Sequence, residues 1–295
     1  MRVLITGSAG FAGGYLWRSL EADGHTVTGY NRADDEDVRD RKQIRYEMRQ
    51  TEPDLIFHLA AVSDPDEARA DPLWAVEVNC TGTANVLDAA RRHAPHAKIL
   101  IAGSSDEYGA TDREPGEILT ESSPCSPDGP YGASKLAATV LAGCYVRSYG
   151  LHVVVTRAFM HTGPGRRSSS VISGLAKQVV AVERGEAEHV EHGDLSARHD
   201  ITDVRDMAQA YRVAIRQPPG IYNACSGALT SVRAVLAMLT SLSVLDDVPL
   251  RQNPAIESRP GLPVASCVPL TAAGWKPQFP LSTTLGGLLA YWRSQ

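Results

Sequence analysis

The hydrophobic positions of this chain fall into short runs separated by longer stretches of helical period. Val3-Leu4-Ile5-Thr6, His25–Tyr30, Asp54–Leu59, Lys98–Ala102 and His152–Thr156 are runs of four to six residues rich in β-branched and aliphatic side chains. Runs of that length predict strands buried on both faces. Between them, Phe11–Ala22, which closes at Gly24, and residues 79–93 and 131–149 place apolar residues at helical spacing. Strand, helix and strand in repeated alternation predict an α/β fold, a Rossmann-type doubly wound parallel sheet covered by helices.

After about residue 157 the rhythm changes. Arg157–Ser170 is rich in Gly, Ser and Arg and reads as a loop. Helices are predicted near 171–184, 231–243 and 281–293, with short strands between them and a proline-rich winding loop over Gln252–Pro269. Asp200–Arg216 has strand-then-helix character and is expected to pack back on the first part. The predicted division is an NAD(P)-binding Rossmann domain of residues 1–156 plus about 197–226, and a smaller C-terminal substrate-binding lobe of 157–196 and 227–295.

Composition narrows the class. The 295 residues are 43% hydrophobic and 21% charged, as in an ordinary globular protein. A formal net charge of -5 supplies no basic footprint for nucleic acid or an anionic membrane surface. The five cysteines have no C-x-x-C spacing, which predicts neither a disulfide framework nor a zinc site and fits a reducing cytoplasm. The nine histidines lack paired ligand spacing, so no metal is expected; His58 and His152 read as the end and the start of core strands, and His189 and His192 as strand or loop residues. The apolar start is too short for a signal peptide, and no stretch has the length of a membrane span.

Three segments carry candidate chemistry. The first is Thr6-Gly7-Ser8-Ala9-Gly10-Phe11-Ala12-Gly13, set between a strand and a helix. Gly7 permits a tight turn, Gly10 lets the backbone approach a pyrophosphate, and Gly13 allows close helix–sheet packing. The next strand ends Asn31-Arg32, where a guanidinium suits a 2′-phosphate better than a ribose hydroxyl, so the cofactor is NADPH or NADH with a mild lean to NADPH. Asp37-Val38 is placed to meet an adenine. The second segment, Ser104-Ser105-Asp106, closes a strand at its carboxyl end, where parallel sheets hold ligands. The third is Tyr131-Gly132-Ala133-Ser134-Lys135, whose phenol and ammonium lie one helical turn apart on one face. A nearby cation favours a phenolate, so Lys135 is expected to lower the pKa of Tyr131. The polar loop Thr111–Pro130 just before it has the length of an active-site lid.

Together these segments resemble the extended short-chain dehydrogenase/reductases that act on nucleotide-sugars, essentially from end to end. His58-Leu59-Ala60-Ala61, Asn79-Cys80-Thr81-Gly82-Thr83 and His199–Asp206 carry the likeness along with the three segments above. Arg157–Gly165, Tyr222–Gly227, Gly274-Trp275-Lys276-Pro277 and Tyr291-Trp292-Arg293 are most similar to the GDP-4-dehydro-6-deoxy-mannose reductases. The resemblance implies that Tyr131 gives a proton to the sugar C4 oxygen as hydride arrives from the nicotinamide. It further implies that Lys135 holds the nicotinamide ribose, that Ser104 positions the keto oxygen, and that Asp106 stands beside them. Gly7, Ser8, Gly10, Phe11, Ala12, Gly13, Leu59, Ala60, Ala61 and His161 would line the cofactor. Ser63, Ser105, Met160, Arg198, His199 and Arg259 would face the nucleotide-sugar, with Arg259 gripping its diphosphate. Met160 stands where the group carries asparagine, and His199 where it carries arginine with Arg198 adjacent; both departures fall on the substrate side.

Three reaction types remain open by resemblance. Dehydratases of this superfamily place a glutamate where a gap-free count puts Asp106, and aspartate is shorter by about 1.5 Å of reach. A one-residue deletion before Tyr108 would instead bring Glu107 to that place. A 4-epimerase needs only the serine, tyrosine, lysine and NAD⁺, and a catalytically idle dinucleotide-binding sensor or scaffold is a remote alternative. The leading expectation is NAD(P)H-dependent reduction of a nucleotide-linked 4-keto-6-deoxyhexose. Val86, Leu87, Val140, Leu141 and Val146 read as buried core on their helices, while the resemblance implies a homodimer formed through those same two helices.

Overall fold

The computed structural model describes residues 1–111, 116–256 and 261–295. Its first part runs β1 (Arg2–Thr6), α1 (Phe11–Ala22), β2 (Thr26–Tyr30), α2 (Arg41–Thr51), β3 (Leu55–His58), α3 (Pro65–Ala70) and α4 (Pro72–Val76). A single wide π turn (Glu77–Thr81) then leads into α5 (Gly82–His93), β4 (Lys98–Ser104), the two-residue β5 (Ile118–Leu119), α6 (Pro130–Tyr149) and β6 (His152–Ala158). There follow β7 (Met160–Thr162), α7 (Val171–Glu183), β8 (Val190–His192), β9 (Arg198–Asp203), α8 (Val204–Ala214) and β10 (Gly220–Ala224). The chain ends with β11 (Leu229–Ser231), α9 (Val232–Ser241), β12 (Leu250–Gln252), β13 (Val264–Ala265), α10 (Val268–Ala272) and α11 (Leu281–Arg293).

Six strands form one sheet in the order β10-β6-β4-β3-β1-β2, and every neighbouring pair is parallel. Both faces are covered, so the strands are apolar on both sides. Leu4, Ile56, Ile99, Ile101, Val153 and Val155 point to the helices that carry Ile44, Met48, Val86 and Leu87. Val3, Ile5, Phe57, Leu100 and Val154 alternate with them and pack under Leu16, Leu20, Met207 and Tyr211. The chain first adds β2 outside β1 and then returns to lay β3 on the other side of β1. That reversal opens a crevice at the carboxyl ends of β1 and β3, where sheets of this kind bind ligands.

A second apolar cluster joins α7, α9 and α11 through Leu175, Val179, Val235, Leu239, Leu285 and Leu288. A three-stranded sheet of β11, β9 and β7 lies between the two cores, and β9 runs directly into α8. Several expectations from the sequence need correction. Helix α2 is absent from the sequence reading because only Ile44 and Met48, four residues apart, enter the core while the rest of it is strongly polar. Asp40 starts it by accepting from the amides of Lys42 (2.8 Å) and Gln43 (3.1 Å). Arg157–Ser170 is not all loop, since Arg157 and Ala158 complete β6 and Met160–Thr162 form β7. Two segments expected to be loops also pair briefly with each other, Ile118 opposite Val264 and Leu119 opposite Ala265. Val140 is 58% exposed rather than core, whereas Val86 and Leu87 are fully buried.

His58, the last residue of β3, is buried with both ring nitrogens engaged. The Thr83 hydroxyl lies 2.9 Å from Nε2 and sits 2.6 Å from the Asn79 carbonyl, to which it donates. Nε2 therefore carries the ring proton, and Nδ1 accepts from Thr6 Oγ1 at 2.7 Å. Burial, with the charge of Lys135 adding to it, pushes His58 down to about 3. An unfolded imidazole binds its proton near pH 6.5, so stability is full above that value and is lost as pH falls toward 3. The slope from one such group is about 1.4 kcal/mol per pH unit. Urea unfolding at pH 6 and pH 5 should show that loss, and His58→Asn should reduce the pH 6-to-5 difference by about that amount.

Candidate active site

The crevice begins at the glycine turn. Gly7 has φ +75°, and a Cβ there would stand 2.7 Å from the Ala60 amide nitrogen, so the turns after β1 and β3 abut backbone to backbone. A Cβ at Gly13 would lie 2.2 Å from the Gly7 carbonyl, which only glycine avoids. Helix α1 starts from Gly10 with no side-chain cap and no acid in its first turn, leaving its first amides and positive dipole end free for an anion. Asn31, at the end of β2, braces this turn: its Oδ1 accepts from the Ala9 amide (2.7 Å) and the Ser8 hydroxyl (3.0 Å). These features fit a dinucleotide diphosphate.

The second wall is the end of β4. Ser104 is followed by one 3₁₀ turn (Ser105–Glu107), and its hydroxyl accepts from the Asp106 amide at 3.1 Å. An oxygen that accepts there keeps its own proton available to donate to a neighbouring oxygen. Glu107 does not face the crevice. It is fully buried, its Oε1 accepts from the Ser104 amide at 2.9 Å, and its Oε2 pairs with Arg157 Nε at 2.9 Å. Gly103 makes room for this carboxylate, because a Cβ there would sit 2.5 Å from Oε1. Arg157 in turn lies 4.5 Å over the Tyr108 ring, whose hydroxyl donates to Asn223 Oδ1 at 2.6 Å.

Helix α6 brings Tyr131 to this wall. Pro130 occupies its first turn, and Gly132 packs so closely on the Asp106 carbonyl that a Cβ would approach it to 2.3 Å. Buried Asn79 fixes the same turn by donating to Ser134 Oγ (2.9 Å) while bracketing Val62 through both its oxygen and its nitrogen. Tyr131 consequently feels both Asp106 and Ser104. Burial first and the Asp106 charge second raise its pKa, and the hydrogen-bonding Ser104 hydroxyl pulls the other way. The expectation of a phenol acidified by Lys135 is corrected here. The Lys135 ammonium donates to the Ala102 carbonyl at 2.8 Å, and burial pushes its own pKa down to about 8.

The remaining sequence-derived residues divide between the crevice and elsewhere. Leu59 and Ala60 line the β3 end, with Ala61 following. His161 stacks on Phe11, ring centroids 6.0 Å apart and planes 6° from parallel, and burial pushes it down to about 4. Asp37 is held by Arg39 in an ion pair at 2.7 Å, and Val38 is buried against Gly82. Arg32 is exposed, with its guanidinium 5.4 Å from the centre of the Trp74 ring. Ser105 is buried and Ser63 exposed; Met160 packs toward the second cluster. Arg198 is exposed and reaches the Leu229 carbonyl at 3.4 Å, and burial lowers the pKa of the neighbouring His199. Arg259 lies outside the described residues.

A dinucleotide crevice flanked by a serine, a tyrosine and a lysine defines a class of nicotinamide-dependent enzymes acting on carbonyl and hydroxyl groups. The chain belongs to the NAD dependent epimerase/dehydratase family, which it matches over residues 3–225. It is 31% identical over 309 residues to the GDP-6-deoxy-D-mannose reductase of Pseudomonas aeruginosa, covering 100% of this chain and 98% of the relative. The solved structure of RMD from Pseudomonas aeruginosa complexed with NADPH superimposes with a TM-score of 0.90 at 28% identity, over 100% of this chain and 99% of that one. The Thermus thermophilus UDP-glucose 4-epimerase complex with NAD gives 0.88 at 26% identity, over 99% of each chain.

Arg157 and Arg166 have no part in the sequence-derived site, and Glu107 enters it only as an alternative to Asp106. The signal for the buried pair was present: an arginine inside the apolar run Val153–Phe159 must find a buried acid. Removing one partner of a buried pair strands the other charge, at about 3–5 kcal/mol. Glu107→Ala should therefore lower the unfolding free energy by about that much, and Glu107→Gln, which keeps an acceptor for the Ser104 amide, by less. Urea unfolding of the two variants checks the order.

Proposed function

We propose that this enzyme reduces the 4-keto group of a nucleotide-linked 4-keto-6-deoxyhexose, in the manner of a GDP-4-dehydro-6-deoxy-D-mannose reductase and with NADPH as donor. One observation carries the choice of reaction: Glu107, the longer carboxylate of the Ser104 turn, is locked under β4 by Arg157 and the Ser104 amide. Elimination of water from C5 and C6 needs a general base that reaches the sugar. Among the described residues it is the shorter Asp106 whose charge Tyr131 feels, which supports reduction over dehydration. The protonated phenol supports it too, because a reductase must begin its turnover with a proton to give.

A nicotinamide held in this crevice would supply the hydride that reduces C4 of the sugar. As the keto carbon takes it, Tyr131 Oη gives its proton to the C4 oxygen, and Ser104 Oγ donates a hydrogen bond to the same oxygen. Lys135, one turn along α6 with its ammonium on the Ala102 carbonyl, would offer a further N–H to a ribose. Gly7, Ser8, Gly10, Phe11, Ala12 and Gly13 would carry the cofactor diphosphate, with His161 stacked on Phe11 beside them. Arg32, exposed beside Trp74, supports a 2′-phosphate, and Glu36 is already bound to the Asn31 amide at 2.8 Å. Met160, Ser63, Ser105, Arg198, His199 and Arg259 are proposed for the nucleotide-sugar side.

A homodimer through α5 and α6 accompanies this reading; exposed Val140 and Tyr149 on α6 support it. Five free thiols support a reducing cytoplasm. A 4-epimerase is the second reading, favoured by the likeness to the Thermus enzyme.

Loss of the near-ultraviolet absorbance of NADPH in the presence of GDP-, dTDP-, UDP- and CDP-linked 4-keto sugars tests the proposal. Consumption with at least one of them is expected, and none with any, together with NAD⁺ retained on the purified protein, contradicts it. Tyr131→Phe should lower kcat by about 10² to 10⁴ with cofactor binding kept. With Lys135 charged below about 8 and neutral above it, kcat/KM of the free enzyme should fall as pH rises through that value. Lys135→Arg, charged throughout, should remove this alkaline limb.

A further inference from the structure

Cys225 and Cys267 form a pair of thiols that the proposed reaction does not use. Cys225 follows β10 and is fully buried in a small apolar cluster with Tyr108, Leu119, Phe159 and Ala265, against which Cys267 packs. Its Sγ lies 3.5 Å from the Ala265 carbonyl, two residues before Cys267, and the two thiols are within hydrogen-bonding reach of each other. Cys267 differs in access. It immediately precedes α10, is only half-buried, and has its Sγ 3.5 Å from the Thr271 hydroxyl. It also lines a hollow of about 490 Å³, with Ser266, Val268, Thr271 and Lys276 on the same wall. The contact with Cys225 lowers the pKa of Cys267, and that contact, with burial second, raises the pKa of Cys225. One thiol of the pair is thus open and ionisable, the other closed and protonated.

A thiolate attacks a disulfide sulfur through a mixed-disulfide intermediate, and an accessible cysteine set beside a second, resolving cysteine is the arrangement that carries the exchange to completion. We propose that Cys267 and Cys225 are a thiol–disulfide exchange site for a small anionic disulfide, Cys267 attacking from the hollow and Cys225 resolving. A hollow of that size has room for far more than a peroxide, and the Lys276 ammonium on its wall suits a carboxylate. In the first step Cys267 Sγ, as thiolate, bonds one sulfur of R–S–S–R. The old S–S bond breaks and releases RS⁻, which takes up the proton that Cys267 has lost. In the second step Cys225 gives its proton to solvent and bonds Cys267 Sγ, expelling the second RS⁻, which is protonated in turn. Two protein thiols are oxidised to one disulfide, and R–S–S–R is reduced to two R–S–H. The new bond would tie the end of β10 to the start of α10, next to the Ser226 and Gly227 amides that each donate to Asp200 at 2.7 Å.

The test uses the full chain, reduced and then freed of reductant, incubated with oxidised glutathione at neutral pH. Intact mass, peptide mapping and thermal melting are recorded. The wild type should lose the Cys225 and Cys267 thiols as one disulfide joining them, with no glutathione kept on either. Cys225→Ser should stop at the first step and hold one glutathione on Cys267, and Cys267→Ser should leave Cys225 reduced. Should Cys225→Ser melt early, Cys225→Ala provides the same trap. Lys276→Ala should slow the reaction with oxidised glutathione by about threefold and leave that with cystamine, a cationic disulfide, no slower. Glutathione taken up on exposed Cys144 while Cys225 and Cys267 stay reduced overturns the inference, as does loss of the Cys225 thiol in Cys267→Ser. Lys276→Ala that slows neither disulfide, or both equally, overturns the choice of an anionic one.

Discussion

The ion pair between Glu107 and Arg157 is the interaction on which the rest of the candidate site depends. Two charges this deeply buried are tolerated only when each is paired and hydrogen-bonded, and here the carboxylate has both Arg157 and the Ser104 amide. That arrangement fixes the turn at the end of β4, which presents the Ser104 hydroxyl and carries the Asp106 carbonyl on which Gly132 rests. Because α6 is seated on that carbonyl, the position of Tyr131 follows from the position of Glu107. The pair also ties β4 to β6, and through Tyr108 and Asn223 to β10.

The same geometry sets the proton chemistry. A tyrosine beside a carboxylate in a desolvated cleft keeps its proton, and Tyr131 has both influences. Such a group is suited to giving a proton to an oxygen that becomes negative as hydride arrives, rather than to removing one at the outset. Lys135 hydrogen-bonds the Ala102 carbonyl toward the strand end, and burial brings its pKa down to about 8, which leaves its charge responsive to what binds beside it. The reductase reading and the locked position of Glu107 are therefore two expressions of one local structure.

Much of this was legible in the chain. The parallel sheet announced itself because strands buried on both faces are apolar at successive positions, as in Val153-Val154-Val155. The glycine turn was legible because Gly7 and Gly13 occupy places where any side chain would collide with backbone. Helix α2 was not, since its core contribution is two residues in an otherwise polar stretch. The acidified tyrosine was read wrongly because helical spacing gives the Tyr131–Lys135 separation but not the carbonyl that the ammonium finds. Glu107 was weighed only as a displaced catalytic acid, and spacing alone cannot show a carboxylate turning inward to meet an arginine fifty residues away. Arg166 looked like one of several cations in a loop, and only its overlap with Phe11 separates it from its exposed neighbour Arg167.

The most direct measurement of the central claim follows the hydrogen itself. NADPH carrying deuterium at nicotinamide C4 is incubated with a nucleotide-linked 4-keto-6-deoxyhexose, and the sugar product is read by proton NMR. The account predicts one deuterium at sugar C4, delivered once per NADP⁺ formed, with the new hydroxyl proton drawn from solvent. Product without label at C4, or labelled sugar formed with no net oxidation of the cofactor, would contradict it.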